Sequence, residues 1–354
     1  MSTNRRIAVV LFNLGGPDSP AAIQPFLFNL FNDKNIIDLP GLFRWPLAKL
    51  ISSRRAKAAA AIYAEMGGRS PILPNTEAQA AALQAALGEL GEVRVFIAMR
   101  YWHPMTAAAV TAVKQFQPDD VILLPLYPQF STTTTESSYR VWQEEARRQK
   151  LAQVLKRPEK LICCYPTEPG FVAAVAKVTD AAVARAKAKT DAPIRVIFSA
   201  HGLPKKVVDR GDPYVAQVSA TVHAAVDQLG LASDEWLVAF QSRVGPLEWV
   251  GPPTDHSIEE AARAGKAIVV VPIAFVSEHS ETLVELDIEY RRLAEMHGAV
   301  AYERAPTVSA DPEFIAGLAA LVRGALDNPQ RVQPGSGTQF CADWPRCACK
   351  REVA

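Results

Sequence analysis

The chain has 354 residues, 49% of them hydrophobic, and its 38 basic residues are balanced by 37 acidic ones. Such a chain can bury a large core in one or two domains, and its near-zero net charge excludes the usual basic nucleic-acid surface. No apolar run is long enough to span a bilayer, and residues 1–16 resemble a first strand more than a signal peptide. Five cysteines, an odd number, argue against a secreted disulfide framework, so we expect a cytoplasmic protein.

Apolar runs typical of buried strands alternate along the chain with Ala-rich segments of helical spacing. The runs are 7–14, 93–99, 121–126, 161–164, 194–199, 236–240, 267–273 and 299–302. The helical segments include 76–90, 105–116, 171–187 and 214–229. Strands that alternate with helices of this length predict an α/β protein built from βαβ units with parallel sheets.

The two halves of the chain resemble each other. Three pairs of strand and following loop match: 7–17 with 194–204, 93–104 with 235–246, and 121–132 with 267–278. We therefore predict two similar α/β domains whose loop ends face a shared cleft. The chain from Pro17 to Pro104 is longer than that from Pro204 to Pro246, so the first half carries an insert, at about residues 21–65.

The insert contains 25–50, a stretch dense in Phe, Leu, Ile and Trp and interrupted by prolines and polar residues. It could form an extra helix packed on the core. It could equally form an exposed apolar lip that grips a greasy ligand or contacts a membrane surface. Basic residues nearby could meet carboxylates or lipid head groups: Arg44, Lys49, Arg54 and Arg55.

Residues suited to ligand binding stand at the carboxyl ends of several predicted strands. Arg100 and Tyr101 follow one strand, and Trp249 lies in the matching loop of the second half. His201 closes another strand within SAHGLP (199–204), where its imidazole would serve as a base near neutral pH. An aromatic-lined cleft with scattered arginines suits a flat apolar ligand that carries carboxylates. Taken singly, each of these aromatic residues could instead belong to the core.

The stretch 275–290, FVSEHSETLVELDIEY, follows a buried strand. As an α-helix it would carry four carboxylates along one stripe: Glu278, Glu281, Glu285 and Glu289. Like charges at this spacing repel, so the stripe is either a solvated surface or a functional site. Its place at the carboxyl end of a strand favours a site. Carboxylates with imidazole suit Fe²⁺ or another divalent cation, and also proton removal.

Three cysteines lie close together near the end of the chain: Cys341, Cys347 and Cys349. A short tail cannot bury a core of its own, but bonds between thiolates and a metal would order it. Only Cys163 and Cys164, at the end of a strand, are available as a fourth ligand. The sequence thus permits one four-cysteine site for zinc or a [2Fe–2S] cluster, with free thiols or a metal-free redox pair as the alternative.

Together these motifs resemble the ferrochelatase family, whose members insert Fe²⁺ into a porphyrin in haem synthesis. The matching stretches are LFNLGGPDSP (11–20), SRRAKAAAAIYAEMGGRSPI (53–72), LPLYPQFSTTT (124–134), SAHGLP (199–204), QSRVGPLEWVGPPTD (241–255) and FVSEHSETLVELDIEY (275–290). The resemblance implies two Rossmann-like domains with the porphyrin in the cleft between them. We expect an N-terminal domain at 1–166 with the insert, a second domain at 167–327, and a cysteine-containing extension at 328–354.

The resemblance also implies roles for single residues. His201 is similar to the family's active-site histidine and Glu281 to its carboxylate partner. The residues expected to meet the Fe²⁺ substrate are His201, Glu281, His279, Glu285 and Glu289. The last two resemble an acidic ladder that passes protons or metal. The residues expected to contact the porphyrin are Leu14, Arg100, Tyr101 and Trp249, with Arg54 added as a partner for substrate carboxylates.

The C-terminal cysteines resemble the [2Fe–2S] ligands of some family members. The internal cysteine of the animal form is replaced here by 130–132, so Cys163 or Cys164 would supply the fourth ligand. The predicted reaction inserts Fe²⁺, a substrate and not a cofactor, into protoporphyrin IX with release of two protons. Alternatives are a coproporphyrin ferrochelatase, another class II tetrapyrrole chelatase, or a porphyrin or haem carrier without catalysis. We expect a monomer or homodimer without nucleic-acid partners, in the cytoplasm or peripherally at the inner membrane.

Overall fold

The computed structural model describes residues 5–243, 245, 247–335 and 343–349. The strands are β1 (Arg6–Asn13), β2 (Glu92–Met99), β3 (Asp120–Pro125), β4 (Lys160–Ile162), β5 (Ile194–His201), β6 (Trp236–Gln241), β7 (Ala267–Pro272), β8 (Tyr302–Arg304) and β9 (Val332–Gln333). The α-helices are α1 (Ile23–Phe31), α2 (Gly41–Ala64), α3 (Ile72–Ala86), α4 (Thr106–Phe116), α5 (Thr135–Arg148), α6 (Pro169–Lys187), α7 (Lys205–Asp209), α8 (Tyr214–Leu229), α9 (Thr254–Arg263), α10 (Tyr290–Met296) and α11 (Pro312–Asp327). A π-helix spans Glu281–Glu289, and short 3₁₀ turns lie at Pro20–Ala22, Gly88–Leu90 and Leu151–Gln153.

The strands form two parallel sheets, as predicted. The first has the order β2-β1-β3-β4-β9 and the second the order β6-β5-β7-β8. The first four strands of one sheet therefore correspond in order to the four strands of the other. The resemblance between the two halves of the sequence reflects this repeated topology, and the predicted pair of Rossmann-like α/β sheets is confirmed.

Helices cover both faces of each sheet because successive side chains of a buried strand point to opposite sides. In β1, Val9 packs into a core shared with α3 and α11, whereas Val10 packs into another with α4 and Trp142. In β5, Phe198 joins the first of these cores, and Ile197 joins a third with α9. One continuous core therefore lies between the two sheets and joins the halves.

Buried polar contacts also join the halves. Gln129 Nε2 donates to Thr221 Oγ1 at 3.0 Å, and the backbone N–H of Thr132 donates to Asp212 Oδ2 at 2.7 Å. Such groups are satisfied only while the two halves stay in register, because an unpaired buried polar group is costly. The contacts hold the carboxyl ends of the two sheets at a defined separation.

The insert consists mainly of α1 and α2, which pack on each other between β1 and α3. In the second half only the short helix α7 precedes α8, the helix in the position of α3. The insert is helical, but α2 leaves large apolar side chains in solvent: Leu42 is 81% exposed, Phe43 62% and Trp45 54%. We call Leu42, Phe43 and Trp45 the apolar lip.

One predicted loop match was wrong. The N–H of Met99 donates to the carbonyl of Pro104 at 2.8 Å, and in the second half the N–H of Phe240 donates to that of Pro252 at 2.9 Å. Pro252 is therefore the counterpart of Pro104. The prediction had used Pro246, which lies outside the described residues. Pro246 and Pro252 each follow a glycine, so the sequence alone could not tell which of them closes the loop.

The end of the chain returns to the first sheet. Helix α11 packs against α6 and also against α3, and β9 pairs with β4 through Leu161 and Val332. The segment after residue 327, predicted as a separate extension, thus contributes a strand to the first sheet. The boundaries at 166 and 327 stay predictions.

Lys160, at the start of β4, caps the end of α11. Its Nζ donates to the carbonyls of Ala325 at 2.9 Å, Leu326 at 3.1 Å and Asn328 at 2.7 Å. A cation at a helix C-terminus interacts favourably with the helix dipole as well as with the free carbonyls. The contact therefore fastens α11 to the first sheet.

We expect Lys160→Met to lower the free energy of unfolding by about 1–3 kcal/mol, because three carbonyls lose a charged donor. Urea denaturation measures the difference. The control is Lys57→Met on the exposed face of α2, which should stay within about 0.5 kcal/mol of the wild type. Equal effects of the two substitutions would contradict the proposed cap.

Candidate active site and cysteine cluster

His201 is the last residue of β5 and lies beside Gln241, the last residue of β6. The rest of β5 is almost entirely buried, but the His201 side chain is 38% exposed. Its Nδ1 lies 2.9 Å from Glu281 Oε2, although the two residues are far apart in sequence. The structure thus brings together the histidine and carboxylate that the sequence paired.

Glu281 begins the π-helix, which continues into α10. An α-helix had been expected here, whereas the observed hydrogen bonds run from residue i to i+5. Residues four apart still share a face, so Glu281 and Glu285 remain neighbours. Gln241 Nε2 lies 3.5 Å from the Glu281 carbonyl and 3.1 Å from Glu285 Oε2. Segments of π-helix are rare, and many of those that occur lie at functional sites.

His279 lies just before the π-helix and is only 6% exposed. Its Nε2 is 3.7 Å from Glu281 Oε2, and its ring packs on that of Phe275 with centroids 4.6 Å apart. Among the described residues its Nδ1 is buried without a hydrogen-bond partner. A buried imidazole nitrogen in this state is available to a ligand or an ion at the site.

The charges of these groups depend on one another. Burial lowers the pKa of His201, but the Glu281 charge and hydrogen bond, with the Glu285 charge, outweigh it and raise that pKa above its ordinary value. Burial would raise the pKa of Glu281, yet His201 and His279 hold it well below its usual range. Burial and the Glu281 charge raise the pKa of Glu285. Neighbouring carboxyl groups with pKa values pushed apart are typical of acid–base sites.

Glu285 lies on the wall of a cavity of about 390 Å³ that is also lined by Trp249 and Leu247. The carboxylate accepts the backbone N–H of Ser242 at 3.0 Å and the Tyr290 hydroxyl at 3.1 Å. Ser242 adopts a φ of 65°, which is uncommon for a residue other than glycine. The wall of the cavity therefore includes the hydrogen-bonded carboxylate of Glu285, one helical turn from Glu281.

Of the other two carboxylates of the predicted stripe, Glu278 lies elsewhere and Glu289 lies at the exposed end. Glu278 Oε1 is 2.9 Å from Arg304 Nη1 and accepts the N–H of Thr307 at 3.0 Å, which makes it a structural ion pair. Glu289 is exposed at the last position of the π-helix. The stripe of four carboxylates thus reduces to Glu281, Glu285 and Glu289.

Leu14 directly follows β1 and is half-buried in a cluster with Tyr101 and Trp102. Trp249 lies against Gly202, where an added Cβ would come within 3.2 Å of its ring. Glycine beside His201 therefore lets the indole approach the end of β5. Leu14 comes from the first half and Trp249 from the second, and their contact with one porphyrin stays a prediction.

Arg100 and Tyr101 both bind Asp33, a residue of the insert that the sequence reasoning missed. Arg100 Nη2 lies 2.8 Å from Asp33 Oδ2, and the Tyr101 hydroxyl donates to the same oxygen at 2.8 Å. Tyr101 is 1% exposed and offers no surface to a ligand in this structure. Arg54 is exposed on α2. Asp33 and Asp38 are the two acidic residues amid the apolar 25–50, and the sequence alone did not distinguish the anchor from the other.

Cys163, Cys347 and Cys349 are buried, and their sulfur atoms all lie within 4.8 Å of one another. Cys164 is not part of this group, although its sulfur lies 3.6 Å from that of Cys163. The sulfur of Cys164 accepts a hydrogen bond from Gln217 at 3.5 Å. Cys341, the remaining predicted ligand, lies outside the described residues. A buried group of three thiols is the donor set that zinc and iron–sulfur clusters take, so the residues fit such a group.

Within the described part of the chain, no helix combines the length and the apolarity that a membrane span requires.

Comparison with solved structures supports the fold. SirB from Bacillus subtilis with Fe³⁺ superimposes with a TM-score of 0.53 at 11% identity, covering 96% of this chain and 99% of that one. The sirohydrochlorin chelatase SirB from Bacillus subtilis subspecies spizizenii in complex with cobalt gives a TM-score of 0.50 at 11% identity, covering 92% and 97%. At these identities the likeness concerns the arrangement of the chain alone.

Sequence comparison gives the family. The ferrochelatase family model matches residues 6–326. The chain is 50% identical to the ferrochelatase of Caulobacter vibrioides and 51% identical to that of Phenylobacterium zucineum, over 98% of each chain in both cases. It is 45% identical to that of Rickettsia bellii, over 98% of this chain and 95% of the relative. With a family model that matches nearly the whole chain and relatives at 45–51% identity over almost their full length, the chain belongs to the ferrochelatase family.

Proposed function

We propose that this metal chelatase inserts Fe²⁺ into protoporphyrin IX at the cleft where His201 meets Glu281, with release of two protons. The observation that carries the proposal is the 2.9 Å contact between His201 Nδ1 and Glu281 Oε2 at the carboxyl end of β5. This contact places a base near neutral pH at the edge of the sheet where ligands of α/β proteins bind.

The mechanism begins with proton removal, because a free-base porphyrin must lose two N–H protons before its four nitrogens can hold a divalent ion. Neutral His201 accepts a proton, and the ionised Glu281 stabilises the imidazolium that forms. Glu285, whose raised pKa suits proton uptake, accepts the proton next. The exposed Glu289 passes it to solvent, and His201, neutral again, takes the second proton by the same route. The same carboxylates, with His279, attract the incoming Fe²⁺.

The lip supports protoporphyrin as the substrate. Helix α2 of the insert carries Arg54 and the exposed apolar side chains of Leu42, Phe43 and Trp45. An exposed apolar surface suits protoporphyrin, which has two carboxylates, better than coproporphyrin, which has four. A carrier of porphyrin or haem would have no need for a base and a held carboxylate in the cleft, which favours catalysis over transport.

The test is anaerobic incubation of the purified chain with Fe²⁺ and protoporphyrin IX, followed by loss of free-base fluorescence and the shift of the Soret band. Coproporphyrin III is assayed in parallel. Catalytic turnover with protoporphyrin and a lower kcat/KM with coproporphyrin is the expected result. The reverse preference favours the coproporphyrin alternative. Stoichiometric binding of both without insertion supports the carrier and contradicts the proposed reaction.

We further propose that Cys163, Cys341, Cys347 and Cys349 hold a [2Fe–2S] cluster. The support is the buried group formed by Cys163, Cys347 and Cys349 within 4.8 Å. A bound cluster would supply one-electron redox capacity and iron–thiolate bonds that fasten the tail to β4. Insertion of Fe²⁺ changes no oxidation state, so the proposed mechanism uses none of these residues.

We also propose that the apolar lip contacts a membrane surface peripherally. Phe43 and Trp45 are 62% and 54% exposed, and the basic residues nearby on α2 suit anionic head groups. The double variant Phe43→Ser, Trp45→Ser should lower partitioning onto phosphatidylserine-containing vesicles by about tenfold or more, because two large side chains leave the interface. Sedimentation with the vesicles measures it.

The matched control is Met296→Ser, Val300→Ser. These residues are 75% and 50% exposed but lie far along the chain from the lip. The control should bind vesicles as the wild type does. Equal losses in both double variants, or wild-type protein that stays in the supernatant, would speak against a membrane role for the lip.

A further inference from the structure

Gln79 is a fully buried side chain on α3 that the mechanism does not use. Its amide reaches from the first half into the second. Nε2 donates to the carbonyl of Val276 at 2.8 Å and to that of Ser309 at 2.9 Å. Oε1 accepts the hydroxyl of Ser277 at 3.0 Å. Both donors and one acceptor position of the amide are therefore satisfied by residues about two hundred positions away in sequence.

The backbone around this contact is shaped to meet it. Ser309 adopts a φ of 44°, in the left-handed region that residues other than glycine seldom enter. Its carbonyl accepts from Gln79, and its hydroxyl lies 3.1 Å from Asn75 Oδ1, one turn earlier on α3. Such conformations persist only where surrounding contacts determine them, and they concentrate near functional sites.

Ser277 also contacts the end of β1, which belongs to the same half as Gln79. The amide of Asn13, the last residue of β1, lies 3.5 Å from the Ser277 hydroxyl, and it donates to Thr76 Oγ1 at 2.9 Å. Asn13 in turn accepts the N–H of Leu14 at 2.8 Å. Ser277 is thus connected to Leu14 on one wall.

Toward the active site, Ser277 lies two residues before His279 and four before Glu281, the first residue of the π-helix. Ser277 and His279 belong to the segment that connects β7 to this helix. This segment runs from the end of β7 to the π-helix and has no sheet partner of its own. Glu278 holds it from the second half through Arg304 and Thr307. Helix α3 holds it from the first half through the Val276 carbonyl and the Ser277 hydroxyl.

We propose that Gln79 is a positioning residue that sets the distance between Leu14 and the His201–Glu281 pair by fixing the segment 276–277. This inference rests on the proposed insertion reaction. It adds to that reaction a buried residue that acts through other residues and not by contact with the substrate. Without the amide, the segment keeps the contacts of Glu278 with Arg304 and Thr307 but loses its attachment to α3. Glu281 can then shift relative to His201, which belongs to the sheet.

The main variant is Gln79→Met, which keeps the size of the side chain and removes all three hydrogen bonds. We expect kcat for Zn²⁺ insertion into protoporphyrin IX to fall by about 10- to 100-fold, the cost of a shift of the order of an ångström at a reacting group. The porphyrin KM should change by less than about threefold, since the cleft walls themselves are unaltered.

A purely structural role would lower the folded fraction without moving the pH profile, so the profile is the deciding measurement. The titratable groups that face His201 are Glu281 and Glu285 on the π-helix, His279 before it and Tyr214 on α8. When Glu281 moves away, its charge no longer favours the imidazolium. The acid limb of kcat/KM should therefore move to lower pH in Gln79→Met.

Two further variants and a control complete the test. Ser277→Ala removes the shared hydroxyl with little loss of volume and should show the same changes, whereas Ser277→Thr keeps the hydroxyl and should stay within about threefold of wild-type kcat. The control is Gln84→Met on the exposed face of α3, whose amide oxygen accepts the N–H of Val95 within the first half.

Unchanged kcat and an unmoved acid limb in folded Gln79→Met or Ser277→Ala overturn the role of Gln79. A loss of activity that only follows the folded fraction, measured by thermal unfolding, overturns it equally. If Gln79→Met does not fold, Ser277→Ala still decides. Failure of the wild type to insert metal in the same assay counts against the proposed function and not against Gln79 alone.

Discussion

His201→Ala is expected to lower kcat for metal insertion by about 10²–10⁴-fold, the usual contribution of a positioned general base. The side chain stands at the end of β5 and is 38% exposed, so its removal disturbs no core packing. Porphyrin binding, followed by fluorescence quenching, should remain within about threefold of the wild type. The measurement is the initial rate of Zn²⁺ or Fe²⁺ insertion under anaerobic conditions.

The control is His223→Ala, a histidine on the exposed face of α8 whose ring contacts only its own helix and Trp236 in the described structure. This variant should keep wild-type kcat. Near-normal turnover in His201→Ala would show that the first proton leaves by another route, and the proposed mechanism would have to be abandoned.

The pH dependence follows from the same pair. The base must be neutral to act, so the rate falls as the pH drops through the pKa of His201, which Glu281 raises above the ordinary 6.5. Glu281→Gln removes the charge but leaves the burial, which lowers that pKa. We therefore expect the acid limb to move to lower pH in this variant, with a reduced plateau. A limb that stays in place would mean that another group limits the rate.

Cys163→Ser is expected to abolish the iron–sulfur cluster, whereas Cys164→Ser should leave it in place. The two residues are neighbours in sequence, but only Cys163 lies in the three-thiol group with Cys347 and Cys349. Because metal–thiolate bonds supply the folding energy of a segment too short to bury a core, the tail should also become protease-sensitive in Cys163→Ser. Iron content, acid-labile sulfide and visible absorption of anaerobically purified protein measure the cluster directly.

The matched pair makes the outcome unambiguous. Loss of the cluster in Cys164→Ser with retention in Cys163→Ser would reverse the assignment of the ligand. Wild-type protein that contains stoichiometric zinc and no sulfide would show a structural zinc site instead. Retention of the cluster in both single variants would mean that each cysteine can replace the other.

The parallel sheets were predictable because apolar runs alternate with helical segments, and the similar pattern of the two halves predicted two similar domains. The order of the strands came from the structure. β9 was not predictable, since it consists of Val332–Gln333 inside a polar connector and is held by its partner β4. The π-helix escaped notice because the spacing of Glu281, Glu285 and Glu289 suits both kinds of helix. The spacing of residues in the sequence indicates which of them share a helix face. It does not indicate whether each backbone N–H bonds to the carbonyl four or five residues earlier.

The pairing of His201 with Glu281 could be predicted from the sequence, but the full set of carboxylates and cysteines could not. His201 and Glu281 follow neighbouring strands, and strand ends meet at one edge of a parallel sheet. Glu278 was placed in the stripe because its partner, Arg304, is distant in sequence. Cys163 and Cys164 could not be distinguished, because they are adjacent in sequence and their sulfur atoms lie 3.6 Å apart. Only the fold shows which of them joins Cys347 and Cys349.

The return of the chain to its first sheet has a consequence for synthesis on the ribosome. Strand β4 emerges early, yet its outer neighbour β9 is made about 170 residues later, judged from the register that pairs Leu161 with Val332. Throughout that interval β4 is an open edge on a nascent protein, the kind of edge that recruits other chains. Lys160 places a charge on that edge from the start, which discourages such pairing, and only later does the same ammonium group find the carbonyls of α11.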